Sequence, residues 1–240
     1  MKKIKKLGQV FLDNPRILEK EAEIAGVSGK AVLEIGPGDG RLTERLLVHG
    51  PKKLIAVEKD TRFAGILKEK FEGDSRVQII NADFLEIAIP EAEIIVGNIP
   101  YYISSPIIFR LKDAKFDYAV LMVQKEFAEK MVAKPNAANY GRLSITSQIF
   151  FRIEYVQTVP KMFFSPRPKV DSAIIKLQPT GAKLSQFEED VIRKLFQHRN
   201  KTVRNALKGY EINDQRRVRT LTKDECLELA QILEKKSKGL

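Results

Sequence analysis

The chain has 240 residues, 43% of them hydrophobic, enough for one full core with a small appendage or for two small domains. No apolar run approaches the roughly 18 residues of a membrane span, and the basic start, Met1 to Lys6, is not followed by the apolar segment of a secretory signal. One cysteine, Cys226, and two histidines, His49 and His198, exclude an intrachain disulfide and a thiolate or histidine-rich metal site; the net charge of +11 suits a polyanionic partner such as nucleic acid or an anionic membrane surface, or else reflects a basic proteome.

Pro15 near its start and Gly26 past its end predict a helix over 15–25. The β-type run Ala31 to Ile35 follows, then a helix over 41–48 and a strand from Lys53 to Val57. Thr61 to Phe71 reads as a helix, with Phe63, Ile66 and Leu67 as its core stripe, and Val77 to Ile80 as a strand. A buried strand over 94–96 stops at Gly97-Asn98-Ile99-Pro100 and exposes Tyr101 and Tyr102. A helix from about Ser105, a strand over 119–123, helices near 125–133 and 141–150, and strands near 152–158 and 172–177 complete this part. Strands alternating with helices predict an α/β fold with a parallel, doubly wound sheet. Pro179-Thr180-Gly181 breaks the pattern, and from Leu184 onward the segments read as helical with a net positive charge. The expected organisation is therefore a larger domain over 1–180 and a small C-terminal helical domain over 181–240. Cys226 reads as a small core residue of the latter.

"LEIGPGDGRL", residues 33–42, follows the first of these strands and opens a helix. Gly36, Gly38 and Gly40 form G-x-G-x-G, which allows positive φ and close approach of backbone to a ligand. The dinucleotide spacing G-x-G-x-x-G is not met. The next strand ends at Glu58-Lys59, about 20 residues on, where a carboxylate suits ribose hydroxyls. The strand after it ends at Asn81-Ala82-Asp83-Phe84, where an acid suits an adenine amino group. Acidic residues at three successive strand ends favour an adenosyl cofactor, because open α/β sheets bind ligands at that edge. The G-x-G-x-G form resembles that of S-adenosylmethionine-dependent methyltransferases, with a Rossmann-like class I sheet. Glu34 is either near the methionine end of that cofactor or a strand-end carboxylate bonded to nearby backbone.

Asn98-Ile99-Pro100-Tyr101 resembles the (N/D)PP(Y/F)-like motif of methyltransferases acting on nucleobase amines. An exocyclic adenine nitrogen is a poor nucleophile, since its lone pair is delocalised into the ring. Acceptors at the Asn98 side-chain oxygen and the Pro100 carbonyl favour a more tetrahedral nitrogen and aim its lone pair. Tyr101 suits stacking on a base that has left its helix or is single-stranded.

Further segments sharpen the resemblance: "GQVFLDNP" (8–15), "QKEFAEKMVAKPNAANYGRLSI" (124–145), "FFSPRPKVDSAIIKL" (163–177) and "FQHRNKTVRNAL" (196–207). Together they resemble the dimethyladenosine transferases of small-subunit ribosomal RNA over nearly the whole chain. The resemblance implies dimethylation of two adjacent adenosines in a hairpin loop near the 3′ end of that RNA. It implies Gln9 and Leu12 near the cofactor, Gly36 and Gly38 under its methionine part, Glu58 with Lys59 at its ribose, and Asp83 with Phe84 at its adenine. It implies Asn98, Pro100 and Tyr101 on the target base, Asn98 also at the cofactor, with Phe164 over the base's other face. Val10 departs from the usual polar residue and Ile99 from the commoner leucine.

The large-subunit adenine methyltransferases that confer macrolide resistance share the glycine loop and the Asn98–Tyr101 segment and are the nearest rival. A non-catalytic assembly factor is the alternative of another class, against which Asn98, Tyr101 and Glu58 speak. Arg167 and Lys169 flank Pro168 in a stiffened loop and are expected on RNA, as are Arg199, Lys201 and Arg204 on a helical stretch. Lys2, Lys3, Lys5 and Lys6 form either a basic arm or a solvated tail. The expected partner is small-subunit rRNA, within a pre-assembled subunit, and the expected state is a cytoplasmic monomer with no membrane and no metal.

Overall fold

The computed structural model describes residues 10–238. Its contacts divide the chain into two compact units, Met1–Ala128 with Glu154–Pro179, and Glu129–Ile153 with Thr180–Leu240. The boundary expected near residue 180 coincides with one crossing. The segment 129–153, expected in the first domain, instead belongs to the second unit. Its polar groups explain why: Tyr140 donates its hydroxyl to the Leu221 carbonyl, and Asn136 N–H donates to the Arg219 carbonyl at 2.9 Å.

The first unit begins with β1 (Phe11–Leu12) and α1 (Pro15–Ala25). The Asn14 side chain caps α1 by accepting from Arg16 and Ile17 N–H at 3.0 and 3.2 Å. Gly26 closes it in the left-handed conformation, at φ 55°. Then come β2 (Ala31–Ile35), α2 (Arg41–Val48), β3 (Lys53–Glu58), α3 (Thr61–Lys70), β4 (Val77–Asn81) and β5 (Ile94–Asn98). The unit continues with α4 (Ser104–Leu111), β6 (Tyr118–Gln124) and the start of α5 (Lys125–Met131). The chain returns to it in β7 (Phe151–Val159), β8 (Phe164–Ser165) and β9 (Ser172–Pro179).

Seven strands lie in the order β4-β3-β2-β5-β6-β9-β7, and β1 pairs β8 in a separate antiparallel ribbon. β4 through β6 are parallel to one another, and β9 runs antiparallel to β6. The sheet is thus the doubly wound α/β arrangement its sequence predicts. The chain builds outward from β2 to β4, then returns to place β5 on the other side of β2. That reversal opens a crevice at the carboxyl ends of β2 and β5. Alternate residues of the strands serve opposite faces. Val32, Leu54, Ile94, Val96, Val120 and Ile174 pack with Leu18, Ala22 and Ala25 of α1 and Leu42 and Leu46 of α2 in one buried cluster.

β5 runs two residues further than expected, with Gly97 opposite Leu121 and Asn98 opposite Met122. Gly97 is the tight point: a Cβ there would lie 2.7 Å from the Ile35 carbonyl oxygen. Only a residue without a side chain lets β5 reach its end beside β2.

The second unit holds α6 (Arg142–Phe150), α7 (Gln186–Gln197), α8 (Val203–Ala206) and α9 (Lys223–Ser237). Reciprocal capping pairs start α7 at Ser185 with Glu188 and α9 at Thr222 with Glu225. Tyr140 meets Phe196 edge-on with ring centroids 5.9 Å apart, and Cys226 is fully buried, as its sequence context suggested. This unit is not helical throughout. Residues 198–202 leave the helix and pair back, with Thr202 bridging Arg217 and Val218 N–H donating to the Lys201 carbonyl at 3.0 Å. Among the described residues, no helix is long and apolar enough to cross a membrane.

Gly97→Ala is expected to lower unfolding stability by about 1–3 kcal/mol, the usual cost of overpacking a filled site. Urea denaturation checks this, and an unchanged midpoint would mean that β5 has slack beside Ile35.

Candidate active site

A cavity of about 450 Å³ opens where the sheet reverses, within the range of small-molecule sites. The glycine loop forms its floor. Gly38 has φ 59°, and a Cβ there would meet the Phe11 ring at 2.9 Å. The missing side chain lets the β1–β8 ribbon close onto the loop.

Glu58, at the end of β3, fixes this loop. Its carboxylate accepts from Gly38 N–H at 3.0 Å and from Asp60 N–H at 2.8 Å. It is 7% exposed. Burial raises its carboxyl above the ordinary range, against the pull of the Asp60 and Gly38 N–H groups. The residue expected only to bind a ligand therefore also holds the loop in place.

Asp83, one turn past β4, accepts from Leu85 N–H at 2.9 Å and pairs with the Lys59 ammonium. The Lys59 bond chiefly keeps the Asp83 carboxyl below its usual range. Phe84 is buried beside them and lines the cavity. Sequence reasoning missed what holds this corner. Arg110 on α4 donates to the Leu85 carbonyl at 2.7 Å and to the Ile87 carbonyl, and its guanidinium lies 6.0 Å from the Phe84 ring centroid. Its Nε is buried without a partner.

Asn98, Ile99, Pro100, Tyr101 and Tyr102 line the opposite wall. Of the two tyrosines expected to be exposed, only Tyr102 is, at 59%. Tyr101 is half-buried because its hydroxyl shares a 2.9 Å hydrogen bond with the Ser172 hydroxyl on β9. The Pro100 carbonyl already accepts from Ile103 N–H at 3.1 Å and from the Ser104 hydroxyl at 3.4 Å. Leu12 and Phe164 sit opposite each other in the β1–β8 ribbon and line the cavity. Val10 lines it as well, while Gln9 lies outside the described residues.

Behind this wall is a carboxylate that the sequence did not single out. Asn98 Nδ2 lies 2.9 Å from Oε1 and 3.2 Å from Oε2 of Glu21, in the amide orientation that satisfies its polar atoms. Glu21 is fully buried on α1. Its signal was present: Leu18, Glu21, Ala22 and Ala25 form the i, i+3, i+4, i+7 stripe that faces the core. Glu34 lines the cavity but is neither free nor bonded to backbone; it accepts from the Thr43 hydroxyl at 2.7 Å. Burial, then the Glu34 charge, pushes the Glu21 carboxyl up to about 8, against the Asn98 N–H. Burial likewise pushes Glu34 up to about 8, opposed by the Thr43 hydroxyl and aided by the Glu58 charge.

The expected RNA contacts divide. Arg167 and Lys169 are exposed in the loop between β8 and β9, and neither lines the cavity. Lys201 and Arg204 are exposed. Arg199 and Lys201 lie in the turn after α7, not on a helix, and Arg199 Nη1 donates to the Ala138 and Tyr140 carbonyls at 2.9 and 2.6 Å. Arg199 thus ties two segments of its own unit together.

The buried carboxyls set a pH dependence. Held near 8 in the fold and near 4.5 when unfolded, they keep protons that the unfolded chain has lost. Their stabilising contribution is full below pH about 4.5 and is lost as pH rises through about 8. Thermal melts are expected to fall by several degrees from pH 5 to pH 8, and Glu21→Gln with Glu34→Gln to flatten the fall. An equally steep fall in the double variant would locate the proton uptake elsewhere.

A methyl donor of the adenosyl type fits these residues: backbone that permits close approach at Gly38, a carboxylate pair at the ends of β3 and β4, and a buried aromatic at Phe84. The model of the ribosomal RNA adenine dimethylase family matches residues 1–239. A probable ribosomal RNA small subunit methyltransferase A of Thermococcus onnurineus is 47% identical over 204 residues, covering 84% of this chain and 74% of that one. The crystal structure of a dimethyladenosine transferase from Plasmodium falciparum superimposes with a TM-score of 0.84 at 31% identity, over 96% of this chain and 98% of that one. The 23S rRNA methyltransferase ErmE gives 0.72 at 29%, over 93% and 99%. Enzymes of this fold and family take their methyl group from S-adenosylmethionine. The chain is thus a methyltransferase and belongs to the ribosomal RNA adenine dimethylase family.

Proposed function

We propose that this enzyme transfers two methyl groups to N6 of each of two adjacent adenosines in the hairpin loop near the 3′ end of small-subunit rRNA. It acts as a cytoplasmic monomer on a pre-assembled small subunit. One observation carries this reading: Asn98 and Tyr101 share a single cavity with the glycine loop, Glu58 and Asp83. The small-subunit names of the relatives support the choice of RNA.

S-adenosylmethionine supplies an electrophilic methyl group. The protein's own residues do the rest. The loop at Gly36 and Gly38 would lie under the methionine part with Leu12 near it, and Gln9 is a further expected contact. The free lone pairs of Glu58 accept from the ribose hydroxyls, with Lys59 beside them. Asp83 accepts from the adenine amino group, and Phe84 covers the ring. On the other side, Tyr101 and Phe164 hold the flipped target base between them. The Asn98 Oδ1 accepts an N6–H and keeps the lone pair directed at the methyl. The Pro100 carbonyl takes the second N6–H once the Ser104 hydroxyl, a weak and freely rotating donor at 3.4 Å, turns away. With S-adenosylmethionine bound, the methyl would pass to N6 with the cofactor's sulfur as leaving group, and one N6 proton would go to solvent. Arg167, Lys169, Lys201 and Arg204 contact phosphates, with Arg199 adding the donors it does not use internally.

Asn98→Ala is expected to leave cofactor affinity within about threefold, because one lost hydrogen bond to another ligand barely touches that site, and to abolish turnover. Calorimetry with the cofactor, beside single-turnover assays, checks this; lost cofactor affinity would contradict the role. The substrate is tested by methyl transfer to unmethylated small subunits and to large-subunit RNA, with nucleosides read by mass spectrometry. Dimethyladenosine at two neighbouring small-subunit positions is the expected result. Methylation of one large-subunit adenine would replace this reading with the resistance-type activity.

A further inference from the structure

We propose that Glu21 is a positioning residue for methyl transfer: its buried carboxylate grips the Asn98 amide by Nδ2 and thereby presents Oδ1 to the target amine. This rests on the reading that Asn98 holds that amine.

The oxygen and nitrogen of a primary amide have nearly the same size, so packing alone does not choose between the two orientations of Asn98. The choice is chemically decisive. With Oδ1 toward the substrate, the amide accepts an N6–H and leaves the nitrogen lone pair free to attack. With Nδ2 toward the substrate, the amide donates to that same lone pair and blocks it. An ionised carboxylate offers acceptors only, so Glu21 selects the productive orientation once it has lost its proton, as pH rises through about 8. Glu21 meets this requirement, with both oxygens within 3.2 Å of Nδ2.

Nothing in the packing asks for an acid at this position. Glu21 is fully buried on a stripe otherwise made of Leu18, Ala22 and Ala25. A buried carboxyl among such neighbours costs stability that an aliphatic side chain would not. Its hydrogen-bond partner is the Asn98 amide, and Glu34, itself held by Thr43, is the acid whose charge reaches it. A side chain kept there at a cost, and aimed at the residue that meets the substrate, acts through that residue.

The second methyl transfer depends on the grip more than the first. A monomethylated amine has one N–H left, so an amide facing the wrong way leaves it unheld.

The test compares Glu21→Met, which keeps length and apolar packing but removes the acceptor, with Glu21→Leu as a second such variant and Glu21→Gln, which keeps one. Methyl transfer, cofactor affinity and melting temperature are measured on the full chain with small-subunit substrate, above pH about 8 where Glu21 is ionised. Expected for Met and Leu is a fall in kcat of roughly tenfold to a hundredfold, as misplacement of a reacting group typically gives, with unchanged cofactor affinity. Their products shift toward monomethyladenosine, and their melting temperatures stay at or above that of the parent. Gln is expected to keep kcat within about threefold, since it retains an acceptor. Wild-type kcat in a folded Met or Leu variant would overturn the proposal, and so would a Gln variant as slow as the other two. Should Asn98→Ala itself keep its turnover, the underlying role of Asn98 falls, which is a different failure from loss of the Glu21 effect alone.

Discussion

The close approach of β5 to β2 governs the site. Gly97 brings its backbone within reach of the Ile35 carbonyl, where any Cβ would be 2.7 Å away. From that contact the rest follows. The end of β2 launches the glycine loop, and the end of β5 delivers Asn98 beside it. With the methyl donor on the loop and the target base on Asn98, as proposed, this backbone contact would bring the two together, the kind of proximity that makes a transfer effectively unimolecular.

Around this contact the protein trades stability for orientation. Glu21, Glu34 and Glu58 are all buried near the cleft, and each carries a raised carboxyl pKa. Each also has a specific partner: the Asn98 amide, the Thr43 hydroxyl, and the Gly38 and Asp60 N–H groups. Satisfied polar groups in a core give little net stability but fix geometry well. The polar atoms around the cleft thus share one well-satisfied arrangement.

Much of this was legible in the sequence, for physical reasons. Parallel strands buried on both faces must be apolar runs, so Ala31–Ile35, Lys53–Val57 and Ala119–Val123 stood out. Tight approach requires glycine, which marked Gly36, Gly38 and Gly40. What stayed hidden depended on long-range pairing. A glutamate within a helix ordinarily faces water, so Glu21 gave no sign of its partner 77 residues away. β1 and β8 have two residues each, too few for any periodicity. The helical pattern of 141–150 shows an apolar face but not which core it joins, so the sequence groups it with the sheet whereas its contacts group it with the second unit. Arg199 looked like a phosphate ligand because its use of the Ala138 and Tyr140 carbonyls needs the chain folded back from a distant segment.

The first unit is made of two stretches of chain, and this has a consequence for biosynthesis. β6 is bordered on one side by β5 and on the other by β9, which begins at Ser172, and β1 waits for β8 at Phe164. A nascent chain that has emerged only as far as Ala128 carries the glycine loop, Glu58 and Asn98, yet β6 has an open edge and the cleft lacks one wall. The parallel half of the sheet must remain incomplete on the ribosome while the next fifty residues are made, exposing a strand edge to other chains. An enzyme of this architecture acquires its cleft late in its own synthesis, as a single event when the last two strands arrive.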